Sequence, residues 1–87
     1  MTNKHHRWQT RWMIDLATCR ATHDSGVIVQ FTQAEDDAAA WDGTPIDDPE
    51  LFAALLAKHG GHNIGPHFAR LMREAGQLYE EALHARH

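Results

Sequence analysis

Trp8-Gln9-Thr10-Arg11-Trp12-Met13-Ile14-Asp15-Leu16-Ala17 alternates in bulk from one residue to the next. In an extended chain Trp8, Thr10, Trp12, Ile14 and Leu16 fall on one side, and Gln9, Arg11, Met13, Asp15 and Ala17 on the other. A period of two with two indoles on one side predicts a β-strand whose tryptophan face is buried. A second short extended piece, Arg20 to His23, follows Ala17-Thr18-Cys19, and Asp24-Ser25-Gly26 then offers a turn. Val27-Ile28-Val29-Gln30-Phe31-Thr32 is β-branched or aromatic except for one glutamine, and reads as another strand. The spacing predicts an antiparallel meander of two or three strands.

The remainder of the chain is helical in pattern. Asp47-Asp48-Pro49-Glu50 opens a helix: Asp48 can cap it, Pro49 suits its first position, and Glu50 favours its positive end. Leu51, Phe52, Leu55 and Leu56 form its apolar stripe, and Lys58-His59-Gly60 closes it. After the link Gly61-His62-Asn63-Ile64-Gly65, Pro66 starts a longer helix expected to reach about His84. Phe68, Leu71, Met72, Ala75, Leu78, Tyr79, Ala82 and Leu83 recur along one of its faces. Gly76 costs that helix about 1 kcal/mol relative to alanine, which suggests that another element approaches it closely. Ala38-Ala39-Ala40-Trp41 could be a short helix, an edge strand or a loop; residues 33–47 are expected to form an acidic connecting loop with Trp41 tucked against the core. Residues 1–7 read as a flexible tail.

With 87 residues the chain is expected to form one domain, and a single cysteine, Cys19, excludes an internal disulfide. No apolar run approaches the ~20 residues a membrane helix needs, and the amino end lacks a signal-peptide pattern. A cytoplasmic protein of bacterial type is the expectation. Formal charge is −4, distributed as +3 over residues 1–23, −8 over 24–50 and +1 over 51–87. The middle segment contains no lysine or arginine and repels a phosphate backbone, which disfavours nucleic acid as a partner.

Four constellations could carry chemistry or binding. Eight histidines are present, the tightest group being His59, His62 and His67, whose imidazoles could converge on a borderline metal. A solvated loop flanked by two helix ends accounts for that spacing more simply, and no pattern calls for a cofactor. Ser25, the only serine, lies in a turn without an evident base and orienting group, and Cys19 reads as a packed strand-end residue. An enzyme is therefore disfavoured. Nucleic-acid recognition through a helix-turn-helix or an N-terminal arm would draw on Arg7, Arg11, His67, Arg70, Arg73 and Gln77, but the Gly60–Pro66 link is long for that motif. Protein–protein binding remains, with Glu35, Asp36, Asp37 and Asp42 as candidate contacts for a basic partner surface. Three tryptophans in so short a chain also raise a homodimer.

Trp12-Met13-Ile14-Asp15-Leu16, His23-Asp24-Ser25-Gly26-Val27-Ile28-Val29-Gln30-Phe31 and Arg70-Leu71-Met72-Arg73-Glu74-Ala75-Gly76 resemble small uncharacterised proteins of proteobacterial prophages and integrative elements. The resemblance implies an accessory or host-directed protein of a mobile element, such as an inhibitor of host defence of the anti-CRISPR kind. It carries over no functional residue. The expected architecture is an α+β domain in which a meander precedes two helices packed on one sheet face. The expected core is Trp12, Ile14, Leu16, Val27, Val29 and Phe31 from the sheet, with Leu51, Phe52, Leu55, Leu56, Phe68, Leu71, Met72, Leu78, Tyr79 and Leu83 from the helices.

Overall fold

The computed structural model describes residues 8–36 and 40–85. Four strands form one antiparallel sheet in chain order: β1 (Trp12–Asp15), β2 (Arg20–His23), β3 (Ile28–Gln33) and β4 (Trp41–Pro45). Helices α1 (Pro49–His59) and α2 (Ile64–Ala85) follow. The architecture is the α+β arrangement expected, with one strand more than the meander of two or three. Trp8 to Arg11 do not extend β1; Gln9–Arg11 form a 3-10 turn that leads into it.

Local chemistry shapes the hairpins. The Asp15 carboxylate accepts from the Ala17 and Thr18 amides at 3.0 and 3.3 Å, which starts the β1–β2 turn. The β2–β3 turn closes through His23 N–H to the Val27 carbonyl at 2.8 Å, with Gly26 at φ 102°. Register places Ile14 opposite Ala21, Ala21 opposite Val29 and Val29 opposite Pro45. Every second residue therefore faces the helices. Met13, on the other face, is 73% exposed.

β4 corrects the expected loop. Asp42-Gly43-Thr44-Pro45 has turn composition, yet the segment pairs along the outer edge of β3 from Gln33↔Trp41 to Val29↔Pro45. Its proline sits at the strand end, where edge strands tolerate one. Gly43 lies opposite Phe31, and a Cβ there would come within 2.8 Å of Phe31 Cε1, so the absent side chain makes room for the ring. The acidic connector shrinks to the β3–β4 turn, held by Ala34 N–H to the Ala40 carbonyl at 2.9 Å.

The core joins both layers. Trp12, Ala21, Val27, Val29 and Phe31 are buried against Leu55, Leu71, Ala75 and Tyr79. Phe31 stacks on Tyr79 at 4.1 Å between ring centroids, and Trp41 meets Tyr79 edge-on at 5.6 Å. Two expected core residues, Phe52 and Leu56, are instead exposed. Four neighbouring apolar positions on α1 make a stripe wider than α2 and the sheet can cover, so Leu51 and Leu55 go inward while Phe52 and Leu56 remain on the flank.

Helix ends follow the sequence closely. The Asp48 carboxylate accepts from Leu51 N–H at 3.1 Å, and Gly60, at φ 86°, donates its N–H to the Leu56 carbonyl. α2 starts two residues before Pro66, because a proline within the first turn has no intrahelical N–H partner to lose. The link is thus Gly60–Asn63, short enough for a helix-turn-helix, which removes one objection raised to that motif. Among the described residues no element approaches Gly76: a Cβ there would meet nothing within 4 Å. Gly76→Ala is therefore expected to stabilise the protein by about 0.5–1 kcal/mol, read as an increased urea midpoint at unchanged slope.

Candidate functional site: an apolar groove and a histidine cleft

Two surface features stand out on the helical side of the sheet. The first is a groove of about 500 Å³ where the β4–α1 connection meets both helices. Val27, Leu51, Ile64, Phe68 and Met72 form its floor and walls, with Ile46 and Phe52 beside them and Asp47 and Asp48 at its border. Phe52 is 47% exposed and lies tilted against Phe68 at 5.9 Å. Leu56, one turn further along α1, extends the same exposed strip.

The second feature is a polar cleft at the opposite end of α1. It gathers Arg11, His23 from the end of β2, Asp24 from the β2–β3 turn, Lys58 and His59 from the end of α1, and His67, Arg70 and Glu74 from α2. The His59 and His67 rings stack at 4.0 Å. His62 is exposed on the link and does not join them; the third imidazole on the cleft is His23, brought by β2. Period two along β2 could have revealed this, since His23 shares a face with buried Ala21. Among the described residues, no group of three or more histidine, cysteine or acidic side chains is arranged to hold a metal ion.

Hydrogen bonds fix the imidazoles. Arg70 Nη2 lies 3.2 Å from His67 Nδ1, and because a guanidinium only donates, the neutral His67 ring carries its proton on Nε2. That Nε2 is buried and has no hydrogen-bond partner. His23 Nδ1 accepts from Ser25 N–H at 3.1 Å, which likewise assigns its proton to Nε2, and Ser25 Oγ lies 2.9 Å from the same Nδ1. A base therefore stands beside Ser25, which the sequence did not reveal. The third member is lacking: among the described residues no carboxylate hydrogen-bonds the far side of the His23 ring, which instead meets Trp12 edge-on at 4.8 Å. Glu74 is committed elsewhere, accepting from Trp12 Nε1 at 2.9 Å and pairing with Arg70 Nε at 3.7 Å.

Burial lowers the pKa of His67, and the neighbouring His59, Arg70 and His23 lower it further. Burial also lowers that of His23, against the opposing pull of Asp24 and Glu74. Both groups then bind protons more readily when the chain unfolds. Stability rises with pH up to about 6.5 and is lost as pH falls below it through the folded-state values. Urea midpoints at about pH 7.5 and pH 5.5 should differ in that direction, and His67→Gln should shrink the difference; a higher midpoint at the lower pH would contradict it.

The other sequence candidates scatter. Arg11, His67 and Arg70 meet at the cleft, whereas Arg73 and Gln77 are exposed along α2, Gln77 donating to Glu81 at 3.1 Å. Glu35 and Asp36 are exposed on the β3–β4 turn, and Asp42 is exposed on β4. Arg7 and Asp37 lie outside the described residues. No helix among the described residues is long and apolar enough to cross a membrane. The chain matches no family model, no curated protein and no solved structure.

Proposed function

We propose that this protein is a non-enzymatic binding module whose apolar groove receives a segment of another protein. The observation that carries the reading is Phe52, a half-exposed aromatic ring on a groove floored by Val27, Phe68 and Met72. A soluble fold gains nothing from leaving such a strip in water, and exposed apolar patches of this kind commonly mark interaction sites. Asp47 and Asp48 border the groove and Glu50 lies in the first turn of α1, with no lysine or arginine between Arg20 and Lys58. The complementary occupant is an amphipathic segment with large apolar anchors flanked by lysine or arginine. A second copy of this chain fits less well, because an isologous contact would face these carboxylates with their own likeness.

The acidic β3–β4 turn with Glu35, Asp36 and Asp42 adds long-range attraction for the same basic partner. The resemblance to mobile-element proteins favours a host protein of the cytoplasm as that partner. Selection of peptides from a random display library tests the reading. Enrichment of apolar–basic sequences that lose binding to Phe52→Asp supports it. Enrichment of acidic sequences, or retention on Phe52→Asp, refutes it, and a dimer in light scattering that Phe52→Asp dissociates would assign the groove to self-association instead.

A further inference from the structure

The histidine cleft is independent of the groove and differs from it in chemistry. Arg11, Lys58 and Arg70 bring three fixed positive charges to it from the 3-10 turn and from both helices, against Asp24 and Glu74. Glu74 is already engaged by Trp12 and Arg70. Arg11 and Lys58 form no ion pair among the described residues. The surrounding protein is acidic, so clustering of cations here runs against the balance of the chain. Two of the imidazoles carry their proton on Nε2, as the bonds to their Nδ1 atoms require, and the buried N–H of His67 has no acceptor. A buried donor left without an acceptor is costly. The cleft is thus rich in donors and poor in acceptors.

We infer that this cleft binds a phosphate group, with Arg11, Lys58 and Arg70 as countercharge and the imidazoles as additional donors. A phosphate group offers anionic acceptor oxygens, which is what these groups lack. The cleft volume of about 480 Å³ exceeds a bare phosphate and leaves room for a group attached to it. Trp8 and Leu55 supply apolar surface on its wall for such a group. His67 Nε2 has no exposed surface, so an acceptor reaches it only when a neighbour gives way; His59, half-buried and stacked on that ring, is placed to do so. Anion binding favours imidazolium at His23 and His67, against their burial and the neighbouring cations, so affinity rises as pH falls.

The test uses the full chain and imidazole NMR resonances, titrated at about pH 6.5 with inorganic phosphate at constant ionic strength. Saturable movement of the His23, His59 and His67 signals is expected, with affinity about tenfold weaker in an Arg11→Gln, Lys58→Gln double variant. Both side chains are exposed, and an unchanged melting temperature verifies that the variant is folded. Parallel titrations with a nucleoside monophosphate and a single-stranded oligonucleotide identify the source of the phosphate: tighter binding of one of them names it, and parity with inorganic phosphate names the free anion. Unmoved or non-saturating signals overturn the proposal, as does equal affinity in the double variant. Saturation by zinc where phosphate moves nothing overturns it too, in favour of a metal.

Discussion

Tyr79→Ala is expected to destabilise the protein by about 3–5 kcal/mol, the range for removing a buried aromatic side chain. Tyr79 is 2% exposed and joins the sheet to α2 through two ring contacts, with Phe31 at 4.1 Å and Trp41 at 5.6 Å. Collapse around the cavity is hindered on the Phe31 side, because that ring is seated in the space left by Gly43. A domain of this size has a total stability of about 4–13 kcal/mol, so the loss consumes much of it. The melting temperature should fall by at least about 12 °C. Tyr79→Phe keeps both ring contacts and should lose less than that. A Tyr79→Ala protein melting within about 3 °C of the parent would show that the aromatic cluster does not tie sheet to helix.

That cluster also explains which parts of the fold could be read from the chain. The start of α1 was legible because an aspartate, a proline and a glutamate act on groups within four residues of themselves. Trp12, Val29 and Leu71 were legible because periodicity assigns a face and the heaviest face is buried. β4 was not legible, since Asp42-Gly43-Thr44-Pro45 locally favours a turn. What extends it is distant: the Phe31 ring over Gly43 and Tyr79 beneath Trp41. Phe52 and Leu56 failed for a related reason, because periodicity cannot tell how much of an apolar stripe its neighbours will cover.

The two surface features divide along the same line. Spacing along the chain grouped His59 with His62 and His67, while the fold replaces His62 by His23 and adds Arg11, Lys58 and Arg70 around the rings. Hydrogen bonds, invisible in a sequence, then decide which imidazole nitrogens carry protons. The groove was hidden for the opposite reason: its residues had been assigned to the core. An apolar residue and a binding residue look alike until the structure shows which of them water can reach.

Phe52→Ala and Leu55→Ala should therefore separate binding from folding, although the two residues lie three positions apart on one helix. Phe52 is half-exposed and touches Phe68, so its truncation should cost about 1 kcal/mol of stability. Leu55 is buried among core residues, and its truncation should cost about 2–5 kcal/mol. Affinity for a display-selected apolar–basic peptide should respond in reverse order. An anchor that fills a groove and excludes water commonly carries about 2–4 kcal/mol of binding, so Phe52→Ala should weaken the peptide by about 30- to 1000-fold. Leu55→Ala, measured well below its melting temperature, should bind within about threefold of the parent. If Phe52→Ala also binds within that margin, the exposed ring is not the anchor, and the groove loses the feature that distinguishes it from ordinary surface.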